Sequence, residues 1–585
     1  MVTRQVKTNK KNSENKPQFR QWRFWLVVGV VISVFTGLAA RAAYIQVIDP
    51  DQLVKQGDNR TLRVRHSAAH RGMIMDRNGV ELAVSIPVQA IYADPKIVHD
   101  KEGLQQTKRW QALAEVLGQD YEKLIDKVSN PQRRFVYIQR QVSTAMADYV
   151  KQLKIPGIYL REESRRYYPT GEVSAHVVGF TGVDDDGLEG IEKLYNEYLT
   201  STPDKRVIRR DRVGRQVELL DEEKGKQAQD ITLTLDQRVQ AMVYRELKEA
   251  VQYLKATSGS IVVTDVHTGE ILAMVNSPSF NPNNRSNVSS HRIRNRAATD
   301  AFEPGSSVKP LAVLSALEFG VAELDTVIDT APGRMRIGGS FVSDPRNYGE
   351  LDLTGIIQKS SNMGTSKLAL QVPKEHLLDT YYAMGLIGDT GTQLLGESEG
   401  IFNEARRWSK FELATLSFGY GLSVTSLQLA RMYSTLGNGG VKLPLSIVKR
   451  AEPAEGERVI SQQYAKAIIN MMESVTQEGG TATKAAVAGY RVAGKTGTSQ
   501  KAVPGGYGEE YVNIFAGVAP ASDPQIAVVV LINEPGGDLY HSGDTAAPVF
   551  SKVMAGALQM LNVAPDARGV SSLAKTSNSV GGAGR

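Results

Sequence analysis

The chain has 585 residues, too many for one hydrophobic core, so two or more domains are expected. Its formal charge of +6 is small for that length and excludes the pervasive basicity of a nucleic-acid binder. It contains no cysteine, which rules out disulfides, thiolate metal sites and a cysteine nucleophile, and which suits an oxidising compartment without establishing one.

Residues 1–21 are polar and rich in Lys, Asn and Gln, the composition of a disordered tail. Through residue 23, Arg4, Lys7, Lys10, Lys11, Lys16, Arg20 and Arg23 stand against Glu14 alone. An uncharged apolar run then extends from Phe24 to Ala40. At roughly 1.5 Å per residue it reaches about 26 Å, slightly short of the hydrocarbon thickness. Continuation through Ile45 completes a span if Arg41 snorkels or faces a partner helix. A cleaved signal peptide is the rival, because Ala40-Arg41-Ala42 is an A-x-A pattern. The run exceeds the usual signal core and the charge follows it too closely, so an anchor over 24–45 is expected. The basic tail, 1–23, then stays in the cytoplasm and the rest is exported, giving a single-pass, mostly periplasmic protein. Later apolar runs such as Ile526–Ile532 have strand length only.

From 46 to 228 short strand-like and helical pieces alternate. Arg71–Gly79 has alternating apolar residues that end in Asn-Gly, a hairpin signal. Residues 104–154 read as helical, with Leu113, Leu117, Leu124, Ile125 and Val128 at compatible spacing. Asp184–Gly190 lacks the alternating oxygen ligands and closing Glu of a calcium loop and reads as an exposed turn. This region shows no catalytic set, so a spacer or docking module is expected.

A polar stretch, Lys224–Gln229, marks a boundary. Beyond it Gly259–Asp265 and Ile271–Val275 flank a Gly-containing turn, a hairpin with one or both faces buried. Further strands are expected within Tyr490–Thr498, Tyr511–Val518 and Ile526–Ile532, with helices between the two blocks. That order predicts an α+β or mixed domain over 229–570. The Ser-, Gly- and Asn-rich end, 571–585, reads as disordered.

The chemistry is concentrated in this domain. At Pro304-Gly305-Ser306-Ser307-Val308-Lys309 a turn delivers a serine to the start of an apolar helix-forming run. Three residues are nearly one helical turn, so Ser306 and Lys309 share a face, close enough for proton transfer. Alone, Ser306 reads first as an N-cap with a solvated lysine, and Ser-x-x-Lys recurs at Ser13, Ser446 and Ser572. What separates this occurrence is its sequel: Ser360-Ser361-Asn362, then Lys495-Thr496-Gly497-Thr498. The ordered trio is the signature of penicillin-binding proteins and class A β-lactamases, with Ser-x-Asn in the middle position. Gly489–Thr496 also satisfies the P-loop pattern letter for letter, but the Gly- and Pro-containing residues that follow cannot start the required helix. None of the eight histidines has a paired-ligand spacing, so neither a metal nor another cofactor is expected. His541 could line a cleft but reads first as a surface-loop residue.

On these motifs the chain resembles the class B penicillin-binding proteins, most closely the septal, FtsI-type transpeptidases of Gram-negative bacteria. The likeness extends to the Arg71–Gly79 hairpin, Arg165-Arg166-Tyr167-Tyr168-Pro169, Gly187–Glu192, Phe302–Gly305 and Thr545–Phe550. Tyr540-His541-Ser542-Gly543-Asp544 departs from the commoner Tyr-Gly-Gly form, a difference at the cleft edge. The resemblance implies an antiparallel sheet flanked by helices, a mixed α/β pedestal or dimerisation-like domain over 46–228, and one membrane helix. Ser306 would be the acylated nucleophile and Lys309 its base, with a pKa lowered by desolvation and the helix N-terminus. Ser360 would relay a proton to the leaving D-alanine and Asn362 would orient the substrate amide. Lys495, Thr496, Gly497 and Thr498 would bind the terminal carboxylate of D-Ala–D-Ala, with the N–H groups of Ser306 and Thr498 as oxyanion hole. Stem peptides, with a diaminopimelate amine as acceptor, would be the substrates, and β-lactams covalent inhibitors. An FtsW-type glycosyltransferase and other divisome proteins would be partners, with the protein in the inner membrane at the septum. An elongation-type transpeptidase, a D,D-carboxypeptidase or β-lactamase, a β-lactam sensor and a divisome scaffold are the alternatives.

Overall fold

The computed structural model describes residues 21–48, 55, 57–58, 61–66, 71–202, 205–211, 215–402, 408–503, 505–537 and 539–567. Most of the basic tail and the whole expected tail at 571–585 lie outside the described residues. The chain divides into two compact units, Met1–Ala68 with Thr202–Lys226, and Ala69–Ser201 with Gln227–Arg585. The expected pedestal span therefore contributes to both units.

In the smaller unit an α-helix covers Gln21–Ala43 and continues as a π-helical turn to Ile48. Gln21–Val47 is long and apolar enough to cross a membrane, and none of its side chains is buried by protein. Strands Leu62–His66, Lys205–Arg210 and Gln216–Glu223 form an antiparallel sheet in that order. Arg206 and Arg209 face Glu222 and Glu218 across it, at 2.7 and 2.8 Å.

In the larger unit, Asp76 closes the expected hairpin by accepting the N–H groups of Asn78 and Val80, both at 2.8 Å. The long arm of that hairpin, Glu81–Ala93, pairs with Val136–Val142 and Ile158–Tyr167. The expected helical stretch is thus interrupted. Thr107–Leu117, Tyr121–Lys127 and Thr144–Leu153 are helices, but Val136–Val142 is a strand whose β-branched alternation fits the pleat. Leu113, Leu117, Leu124 and Val128 are buried in one cluster with Trp110.

Three segments quoted for their likeness meet in a single buried ion triad. Arg71 Nε and Arg166 Nε each lie 2.6 Å from a different oxygen of Glu192, and no side chain of the three exceeds 2% exposure. The Arg71 fork is further used by Asp185 O, Asn196 Oδ1 and Thr200 Oγ1. Each guanidinium is paired with the Glu192 carboxylate, although Arg166 Nη2 has no hydrogen-bond partner among the described residues.

The remaining residues build a five-stranded antiparallel sheet from β1 (Ser258–Asp265), β2 (Ile271–Ser277), β3 (Ala493–Val503), β4 (Gly506–Ala519) and β5 (Ile526–Asn533), in the order β2-β1-β5-β4-β3. Strands β1, β2 and β5 are buried almost residue by residue, the mark of a sheet covered on both faces. Helices Gln237–Tyr253, Ser426–Gly437 and Ala546–Met560 pack on it. Ser426–Gly437 is buried along its whole length and so runs through the core. The edge strand β3 carries Lys495, Thr496 and Thr498. Lys495 and Thr496 therefore sit within a strand, which removes the P-loop reading.

Candidate active site

A short 3-10 turn, Gly305–Val308, leads into the helix Lys309–Phe319, with Pro310 in its first turn where a missing N–H is harmless. Ser306 therefore stands at a helix start, but no side chain caps that turn. The neighbouring serine takes the local bond instead: Ser307 Oγ donates to Pro304 O at 2.8 Å. Tyr433 OH, from the core helix, donates to Ser307 O at 2.8 Å and fixes the turn from below. Gly497 makes the approach of β3 possible, because a Cβ there would meet Pro304 O at 2.5 Å.

Lys309 projects from the same helix and is fully buried. Its Nζ donates to Asn362 Oδ1 at 2.7 Å and lies 3.1 Å from Ser360 Oγ, with a further bond to Ser360 O. Lys309 is thus held by the second motif, and its bonds run to Ser360 and Asn362, not to the Ser306 hydroxyl that shared spacing suggested. Ser360 occupies the left-handed region at φ 57°, uncommon for a residue with a Cβ. It ends helix Leu353–Lys359, and the kink aims both its carbonyl and its hydroxyl at Lys309. Lys495 Nζ reaches the same hydroxyl from β3 at 2.9 Å, and Thr496 Oγ1 at 3.2 Å. One serine oxygen therefore joins two fully buried lysines.

That arrangement determines the protonation. Removal from water disfavours an ammonium, and burial lowers Lys309 to about 7 although the Asp344 carboxylate opposes the shift. Lys495 is lowered well below its ordinary value, first by burial and then by the neighbouring Lys309. A neutral Lys309 has two N–H donors for Ser360 O and Asn362 Oδ1, and a lone pair for the Ser360 hydroxyl.

Asp344 was not legible from sequence and organises the second motif. Its carboxylate accepts Ser361 Oγ and Asn362 N, both at 2.5 Å, and Met363 N at 3.1 Å. An acidic side chain at the start of helix Asn362–Ala369 is favoured by the dipole. Ser542 was missed in the same way. Its Oγ lies 2.6 Å from Thr498 Oγ1 and also bonds Gly497 O, which ties the last cleft segment to β3.

Ser306, Ser360, Asn362, Thr496 and Thr498 line one cleft of about 490 Å³. Lys309 and Lys495 lie beneath its floor. His541 is exposed, as a loop residue should be, and also lines this cleft, with its ring 4.1 Å from that of Tyr540. A hydroxyl at a helix start, in a cleft beside buried amines of low proton affinity, has the parts that acyl transfer requires.

Comparison with known proteins agrees with that chemistry. The penicillin-binding protein transpeptidase domain matches residues 259–555, and the penicillin-binding protein dimerisation domain matches 66–233. The chain belongs to the class B penicillin-binding proteins. It is 50% identical over 565 residues to the peptidoglycan D,D-transpeptidase FtsI of Escherichia coli K12, covering 96% of each chain. It is 39% identical to the probable peptidoglycan D,D-transpeptidase PenA of Neisseria meningitidis serogroup A, covering 95% of this chain and 96% of that one. A solved peptidoglycan synthetase from Bifidobacterium adolescentis superposes with a TM-score of 0.69 at 26% identity, over 87% of this chain and 98% of that one. The transpeptidase domain of penicillin-binding protein 3 from Burkholderia pseudomallei gives 0.53 at 37% identity, over 57% and 98%.

Proposed function

We propose that this chain is a serine-type peptidoglycan D,D-transpeptidase that cross-links stem peptides in septal wall synthesis, and that β-lactams acylate the same serine. The observation that carries the reading is a Ser306 hydroxyl lining the cleft, one turn before a buried Lys309 whose pKa falls to about 7.

Ser306 Oγ attacks the carbonyl carbon of the penultimate D-alanine, and its proton passes to neutral Lys309. Hydrogen bonds of unliganded catalytic sites shorten when substrate binds, so the bonds of Lys309 to Ser360 and Asn362 describe a resting arrangement. The oxyanion would be held by the N–H groups of Ser306 and Thr498, each such donor being worth about 2.7–4 kcal/mol. As the tetrahedral species collapses, the C–N bond breaks and the terminal D-alanine amine leaves with a proton relayed from Lys309 through Ser360. Lys495, Thr496 and Thr498 receive the terminal carboxylate. That anion restores to Lys495 the counter-charge its burial denies it. Asn362 would orient the substrate amide through its Nδ2, which also donates to Ser343 O at 3.1 Å. The amine of a second strand's diaminopimelate then attacks the acyl carbon, forming the cross-link and releasing Ser306.

The division of the exported chain into a pedestal ending near 228 and a transpeptidase domain over 229–570 belongs to this reading. So do the inner-membrane anchor with a cytoplasmic N-terminus, the septal location, and partnership with an FtsW-type glycosyltransferase. A fluorescent penicillin tests the central claim. The native chain should be labelled covalently and Ser306→Ala should not; labelling of Ser306→Ala would remove the nucleophile assignment.

A further inference from the structure

The segment His541–Asp544 makes one wall of the cleft. Asp544 lies in the turn before helix Ala546–Met560, its N–H donating to His541 O at 3.0 Å. Lys484 stands on the 3-10 turn Thr483–Ala485, and its Nζ is 2.8 Å from Asp544 Oδ1. The two supports are tied together: Ser551 Oγ donates to Ala486 O at 2.6 Å, and a Cβ on Gly543 would lie 2.6 Å from Thr481 O. The ion pair is therefore placed by rigid backbone on both sides.

Stability does not account for it. The side chains are 59% and 40% exposed, and exposed ion pairs contribute little to folding. Both groups also retain capacity. An ammonium has three donors and a carboxylate two acceptor oxygens, and the bond between them uses one of each.

We propose that Lys484 and Asp544 recognise a zwitterionic amino-acid head, an ammonium and a carboxylate on one carbon, on the residue preceding D-Ala–D-Ala in the donor peptide. The side chain of diaminopimelate ends in such a head. Laid against the pair it gives four charges of alternating sign, with its carboxylate on Lys484 and its ammonium on Asp544. A lysine side chain, which lacks the carboxylate, completes only half of the arrangement. This inference rests on Ser306 being the acylated residue.

The test is acylation of the full chain by D-Ala–D-Ala stem peptides that differ only at the third residue. The native protein should favour diaminopimelate over lysine in kcat/KM by about threefold to tenfold. Lys484→Met should abolish that preference and Lys484→Arg should keep it. Asp544→Asn should slow both of these peptides relative to one whose third-residue lysine is acetylated. A native protein without preference, a preference that survives Lys484→Met, or an equal effect of Asp544→Asn on all three peptides overturns the proposal. Failure of the native chain to be labelled by penicillin would instead overturn the catalytic reading, so the two failures are distinguishable.

Discussion

Two clusters of buried charge in this protein are built on opposite principles. Around Glu192, two guanidinium groups share one carboxylate, and all three side chains are within 2% of full burial. Around Ser360, two lysines share one hydroxyl, and neither bonds a carboxylate. Burial of an ion costs several kcal/mol unless a counter-ion compensates. The first cluster meets that cost by pairing; in the second, burial lowers the proton affinity of both lysines, which would let Lys309 act as the base of the proposed mechanism. The absence of a carboxylate partner thus suits the proposed chemistry in one place and would be ruinous in the other.

Removing one ionisable group from each cluster should separate them most clearly. Lys309→Ala should slow penicillin acylation by about 10²–10⁴-fold, read as the rate of covalent labelling, while the unfolding midpoint in urea changes little or rises. Glu192→Gln should do the reverse, costing about 3–5 kcal/mol of stability in urea titration while folded molecules label at the native rate. Equal effects of the two substitutions on both measurements would erase the distinction.

Proton titration sharpens the comparison with a smaller effect. Only neutral Lys309 accepts a proton, so acylation should rise with pH through about 7 and then level. Asp344 favours the charged form, so Asp344→Asn should move that midpoint to lower pH. A midpoint unmoved by Asp344→Asn would mean that its carboxylate only braces the helix.

The smallest effect concerns a third solution to burial. His176 Nε2 donates to Arg292 O at 2.8 Å, the ring packs against Phe280, and burial lowers its pKa from 6.5 to about 4. Between those values the unfolded chain binds more protons, so stability should be complete above about 6.5 and decline as pH falls toward 4. His176→Phe should flatten that slope in acid denaturation.

The catalytic floor was legible because its three motifs are short and ordered along the chain. Ser306 and Lys309 lie one turn apart, and Ser360 and Asn362 two residues apart, so local geometry constrains each pair before the fold does. The strands β1, β2 and β5 were legible from their length and β-branched content. What the sequence concealed was long-range. Asp344 precedes a proline and reads only as a turn, and its three bonds to the Ser361–Met363 segment exist only after the sheet and helices have packed. Arg71, Arg166 and Glu192 are far apart in sequence and carry no common pattern. Val136–Val142 did show alternation, at Val136, Ile138 and Val142, but the helical spacing on its N-terminal side masked it.

Gly497 has a consequence for how inhibitor and substrate can be told apart. A single added carbon there would drive β3 into the Pro304 carbonyl, and Ser306, the proposed nucleophile, rides on that same turn. Position 497 is consequently closed to mutational exploration: a side chain there would shift the turn that carries Ser306 and so hinder antibiotic and peptide alike. Selection for drug resistance would have more room at the rim, where side chains such as Lys484 and Asp544 are exposed and the two ligands differ in shape and charge.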